Sequence, residues 1–224
     1  ITGVGGFEIT ATGDKSPTDM YFTKVNAVAR AGAASHVRVR VTKGIIVPRR
    51  ITWTQGNAPA ALELMVLATY DGTNNPFVYL ATASLPSFVV SDEAFIGGKV
   101  MIGGAELTSI TAMTVDFGLQ AELIFANGEV FPPRAHVRVS QPFFEFTTLD
   151  LAALNTFTLV GTPQAATDSL ISFRKVSKTS TGGVARVADA TAQHIKFTID
   201  DGLIYCQPFT ASDGGDSQGV VRIT

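Results

Sequence analysis

Three histidines, a single cysteine and the adjacent acids Asp200 and Asp201 are the residues of this chain whose types could carry chemistry. Zinc sites draw on His, Cys and carboxylates at short spacings such as HxxxH or CxxC. His36, His136 and His194 stand far apart and Cys206 is alone, so neither spacing occurs and no metal is expected. A nucleophile elbow would show GxSxG, which is absent, and GLIYCQPF around Cys206 carries no thiol-enzyme signature. Cys206 reads as a small buried hydrophobe, and its solitude excludes an intrachain disulfide framework. Asp200 and Asp201 adjoin Gly202. Neighbouring strand residues point to opposite faces, so this pair reads as turn-forming and not as an acid/base dyad. SDGGDS at 212–217 lacks the terminal Glu of a calcium loop, and IGGK at 96–99 lacks the frame of a phosphate loop. The aromatic groups FVYL and PFFEF fall in apolar segments and read as core. Trp53, beside Arg49 and Arg50, could stack on a sugar or base, with burial as the simpler reading. The expectation is a protein without catalytic residues, cofactor or metal.

The elements that hold these residues follow from periodicity. His36 opens HVRVRVTKGIIV and His194 opens HIKFTIDDGLIY. Both read His, apolar, basic, apolar, polar, apolar, two polar residues, Gly, three apolar. A shorter echo, HVRV, starts at His136. Alternation with period two marks half-buried strands, and a Lys-Gly or Asp-Gly pair between two of them predicts a hairpin, with Gly44 and Gly202 supplying a positive φ. The likeness is either true internal relation or coincidence of generic hairpins. Pro48 predicts an edge position or a bulge in the return strand of the first.

ELMVLATYDGTNNPFVYLATAS reads as a third hairpin, with a helix over 55–69 as the alternative. Further strands are read at GFEITAT, KVMI, SITAMTVDF, LISFRKVSK and the final VVRIT, with a turn at ANGE. TTLDLAALN, Thr147–Asn155, is the one helical candidate, with Asp150 as N-cap. The fold class is therefore all-β: a β-sandwich or β-barrel with long hairpins, two related β units and one short connector helix. The domain reading is 1–148, with a basic first hairpin and acidic central strands, and 149–224 as a C-terminal β unit; a single domain is the alternative.

Charge narrows the function classes. The net charge of −2 lacks the basic bias of a nucleic-acid binder. Only 16% of residues are charged, well below the usual quarter, and such a surface suits permanent cover by neighbours. Between Met20 and Leu62 there is no acid, while Lys24, Arg30, Arg38, Arg40, Lys43, Arg49 and Arg50 fall there. Between Phe88 and Asp150 acids dominate. One reading is that a basic surface of one copy meets an acidic surface of the next; the other is ordinary solvated strand faces. On the first reading, Arg38, Arg40, Lys43, Gly44, Arg49 and Arg50, together with Asp200, Asp201 and Gly202, are the candidate assembly residues. No apolar run reaches the length of a membrane helix, and no secretory leader is read at Ile1.

VMIGGAELTSITAMTVDFGLQAELIFANGEVFPP and ARVADATAQHIKFTIDDGLIYCQPFTASDGGDSQGVVRI, about a third of the chain, resemble bacteriophage tail tube (major tail) proteins. The resemblance lies in strand–turn patterns and includes no reactive group. It implies a β-sandwich or β-barrel core and self-assembly into homo-oligomeric rings, usually six-fold, that stack into a tube. It also implies a place in the virion, assembled in the host cytoplasm, with other virion proteins as partners and DNA passing without sequence-specific binding. The implied acidic lumen makes Asp116, Glu122 and Glu129 candidate lining residues, and a duplicated fold would let fewer chains close a ring. Capsid decoration, connector and baseplate proteins are sibling readings. A carbohydrate-binding β module would need an exposed aromatic platform, and an enzyme on a β scaffold would need a pocket of clustered acids or histidines.

Overall fold

A computed structural model of the chain describes residues 7–9, 18–24, 36–56, 59–86, 94–126, 128–154, 164–165, 169–178, 184–199, 202–206 and 218–224. In chain order the first strands are β1 (Phe7–Ile9), β2 (Thr18–Phe22), β3 (His36–Val41), β4 (Gly44–Thr54), β5 (Ala61–Ala68) and β6 (Phe77–Ala83). The middle holds β7 (Ala94–Ile102), β8 (Ala105–Leu107), β9 (Ile110–Asp116), β10 (Leu119–Ile124), β11 (Arg134–Ser140) and β12 (Phe143–Thr148). After a single helical turn, α1 (Leu151–Leu154), come β13 (Gln164–Ala165), β14 (Ser169–Lys178), β15 (Val184–Arg186), β16 (Ile195–Ile199), β17 (Leu203–Cys206) and β18 (Gly219–Ile223). The chain is all-β, its sheets are antiparallel, and among the described residues none closes into a barrel. Among the described residues no helix is long and apolar enough to cross a membrane.

The segment expected as helix or hairpin at 55–83 forms two strands, β5 and β6. At α1 the expected connector is one turn, in which the Leu154 amide donates to the Asp150 carbonyl at 3.3 Å. The Asp150 Oδ2 accepts the Thr108 hydroxyl at 2.6 Å.

The chain divides into two compact units, each assembled from separated segments. The first comprises Ile1–Arg49, Leu64–Val90 and Leu119–Ser140; the second comprises Arg50–Glu63, Ser91–Gly118 and Gln141–Thr224. The break falls inside β4, just after Pro48, so the expected step at 148/149 lies within the second unit. Pairings remote in sequence, such as β9 with both β4 and β12, set this division, and local patterns do not record them.

The second unit is a sandwich. One layer runs from Arg50–Thr54 of β4 through β9, β12, β18 and β17 to β13; the other joins β8, β7 and β14, with β15 and β16 also on β14. Met113, Phe146 and Val221 stand opposite one another on three adjacent strands, all buried. They meet Val100, Ile102, Ile171 and Phe173 of the other layer in one apolar cluster. Burying each such side chain is worth about 1.5–3 kcal/mol. Phe197 of β16 adds ring contacts to Phe117, Phe144 and Phe173, with centroids 5.9–6.3 Å apart.

The first unit holds a three-stranded sheet, β2–β3–β6, and a two-stranded ribbon, β10–β11. β1 pairs with the Gly44–Ile46 stretch of β4, and β5 also pairs with β4. Its apolar cluster is small: Val41 and Ala68 are buried, with Met20, Ile46 and Val66 packed against them.

The two repeated segments are not hairpins. β3 pairs with β2 and β6, whereas β4 belongs to another sheet; β16 pairs with β14, whereas β17 pairs with β18 and β13. Each segment is an arch that carries the chain from one sheet to another. Gly44 and Gly202 are required by close approach. A Cβ at Gly44 would collide with the Leu67 carbonyl, and one at Gly202 would lie 2.7 Å from the Thr224 carbonyl oxygen. The φ of Gly202 is not in the left-handed region, contrary to the turn expected there. The DGTNN link between β5 and β6 is likewise a crossing, closed by Asp71 accepting the Thr73 and Asn74 amides at 2.8 and 2.7 Å. A true short hairpin joins β7 and β8, where Gly103 and Gly104 take positive φ.

Replacing Gly202 with Val is expected to destabilise the protein by about 1–3 kcal/mol through overpacking against the Thr224 main chain. Urea unfolding of the variant checks this, and wild-type stability would remove the close approach.

Candidate functional site

The arches position the histidines, and the strands paired beside them, β2 and β14, complete the likeness. The His36 Nδ1 accepts the Lys24 amide at 3.0 Å, and the His194 Nδ1 accepts the Lys175 amide at 3.0 Å. Val37 stands opposite Phe22, two residues before Lys24; Ile195 stands opposite Phe173, two residues before Lys175. TDMYFTK therefore corresponds to SLISFRK in register as well as in pattern. His36 and His194 thus hold the edge of a neighbouring strand. His136, in the third echo, lies on the β10–β11 ribbon with its Nε2 3.2 Å from Glu122. Among the described residues no three His, Cys, Asp or Glu side chains gather where a metal could bind. Cys206 is half-buried, and desolvation pushes its thiol pKa up.

The corresponding phenylalanines differ in one respect. Phe173 is fully buried in the second unit, whereas Phe22 is 60% exposed in the first. Directly opposed residues share a face, so Val37 and Phe22 lie together, as do Met20, Val39 and Tyr79, and Val41 and Phe77. Val41 is covered by the small cluster. Phe22, Phe77 and Tyr79 are exposed, which corrects the reading of FVYL as core. β6 borders only β3 among the described residues, and FVYLATA contains neither a charge nor a proline. Edge strands ordinarily carry such residues to block pairing. The β10–β11 ribbon ends in an exposed apolar tip at Phe125 and Val130.

The candidate assembly residues separate into paired and unpaired cations. On the opposite face of the β2–β3–β6 sheet, Arg40 grips Asp19 with two hydrogen bonds of 2.7 and 2.8 Å. The hydrogen bond from Arg40 holds the Asp19 carboxyl below its ordinary range and raises the Arg40 pKa in turn. Arg50 pairs with Glu63 at 2.6 Å. Asp19 and Glu63 flank the acid-free stretch, so the linear reading overstated its free charge. Arg38, Lys43 and Arg49 form no ion pair among the described residues. Arg38 buries an unpaired Nε; Lys43 uses its carbonyl to accept the Thr69 amide at 2.8 Å; Arg49 is exposed beside the Met65 sulfur. Asp200 and Asp201 lie outside the described residues.

The candidate lining acids are also divided. Asp116, in the second unit, accepts the Gly118 amide at 2.7 Å. Glu122 and Glu129 belong to the first unit. Glu122 lies 3.7 Å from Arg138 as well as beside His136, so its ribbon face carries both signs. Glu129 stands exposed near the ribbon tip.

No protein-family profile matches this chain, and no curated protein sequence matches it.

Asp19→Ala is expected to lower stability at neutral pH by about 0.5–1 kcal/mol, a modest value because both partners are partly exposed and screened. The folded carboxyl titrates below its unfolded value, so its contribution is complete above about pH 4 and fades as pH falls through the lowered pKa. Denaturation curves of wild type and variant should therefore converge in acid; a constant difference would contradict the ion pair.

Proposed function

We propose that this chain is a non-enzymatic structural subunit of a bacteriophage virion, of the tail-tube class, that self-assembles into rings stacked around the path of DNA. The observation that carries the reading is the contrast between Phe22 and Phe173. The same strand, arch and register occur twice, and one copy has its apolar face under a second sheet while the other leaves Phe22, Phe77 and Tyr79 open. Covering three large side chains gains several kcal/mol, about 1.5–3 kcal/mol each when complete. A neighbouring subunit is the source of that cover. The uncharged edge of β6 favours the same arrangement, since strand addition satisfies its main chain.

The repeated arch supports a duplicated fold, so that fewer than six chains close a ring. Unpaired Lys43 and Arg49 supply charge for subunit contacts, and a net charge of −2 disfavours retention of passing DNA. Contacts of the head-to-tail kind close rings or extend filaments.

Negative-stain electron microscopy with light-scattering mass on the same sample tests the proposal. Rings or tubes are expected. A discrete trimer would favour a decoration or connector protein, and a persistent monomer would count against self-assembly. Lys43→Glu with Arg49→Glu is expected to reduce the assembled fraction at low salt while leaving the circular dichroism spectrum unchanged; identical particles would remove the role of these charges.

A further inference from the structure

The second unit contains a cavity of about 480 Å³, a size within the usual range of small-ligand sites. Trp53 lines one wall, half-buried, and its ring packs so closely on Gly97 that no Cβ fits there. Ile110 and Leu107 extend the apolar lining, while Gln55, Ser109 and Arg186 bring polar groups.

Two observations mark this cavity as more than a surface irregularity. Ser109 has φ of +54°, the only non-glycine positive φ among the described residues. Such a conformation persists when its surroundings over-determine it, and it recurs at ligand sites. Here the Ser109 carbonyl accepts the Leu149 amide at 3.1 Å, and adjacent Thr108 bonds Thr148 and Asp150 at 2.8 and 2.6 Å. The second observation is charge. The cavity continues into a smaller recess where Lys99 pairs with Glu106 at 2.7 Å and Arg174 pairs with Asp189 at 3.3 Å. Arg186 lines both spaces, is exposed, and has no ion pair among the described residues.

From this lining we infer that the cavity binds a carboxylated sugar, with a hexuronic acid as the minimal ligand. The indole and aliphatic wall suits the C–H face of a pyranose. Gln55 and Ser109 can exchange hydrogen bonds with hydroxyl groups. The Arg186 fork takes one carboxylate. Arg186 is the one cation without an ion pair among the described lining residues, which fits a monoanion, whereas a nucleotide phosphate calls for more converging positive charge.

The chain has one tryptophan, so its fluorescence reports on this wall alone. Titration of the full chain with glucuronate is expected to give a saturable change in Trp53 emission. Glucose and Arg186→Gln should each weaken binding by about tenfold or more, the variant keeping the wild-type circular dichroism spectrum. The absence of saturable binding would overturn the assignment. So would glucose binding as tightly as glucuronate, adenosine monophosphate binding as tightly, or an unchanged affinity in the variant.

Discussion

Everything in this fold depends on the close approach of main chain at the two arches. At Gly44 and at Gly202 the strand just formed must leave its sheet and enter another, and the turn is so near a neighbouring carbonyl that a side chain has no room. A hairpin would put both strands side by side in one sheet. An arch instead puts them in different sheets, so that apolar residues on each can share one interior. In the second unit that arrangement encloses Phe173, Ile199 and Ile204 in a single cluster. The histidine that opens each arch fixes its other end by accepting a main-chain amide, that of Lys24 just past β2 or that of Lys175 in β14.

The same device has two outcomes. In the second unit the arch sits within a sandwich whose two layers cover each other. In the first, the corresponding sheet has only a small cluster beneath Val41, and its remaining apolar face stays open. Exposed aromatics on an uncharged edge strand are a standing invitation to pairing, which soluble monomers normally suppress. This asymmetry underlies the proposed assembly. Of the cations suggested for subunit contacts, Arg40 and Arg50 are engaged within their own units, leaving Arg38, Lys43 and Arg49.

Strand identity was largely legible in the sequence; strand pairing was not. Alternation in HVRVRV and HIKFTI locates strands because each face meets a different environment. The same alternation is silent on which strand lies alongside, and an arch and a hairpin share the same apolar–polar–Gly–apolar pattern. Hence three predicted hairpins proved to be crossings, while the Gly103–Gly104 turn was a true one. The second unit draws β4, β9 and β12 from distant segments, so no composition change marks its border. FVYL was misread because an apolar strand at a sheet edge has the same residue types as a core strand. The Phe22–Lys24 and Phe173–Lys175 match was visible as FTK and FRK, but its meaning required register. The cavity beside Trp53 was illegible, since Ser109 and Arg186 reach it through folding alone.

The measurement that tests the architecture most directly is a set of main-chain nuclear Overhauser contacts on isotopically labelled protein. Cross-strand contacts are predicted between Ile171 and Phe197 and between Met20 and Val39, the opposed residues that flank the two arches. Contacts in hairpin register between Ile195–Ile199 and Leu203–Cys206, or between His36–Val41 and Gly44–Thr54, would contradict the arches and with them the duplicated unit on which the functional reading stands.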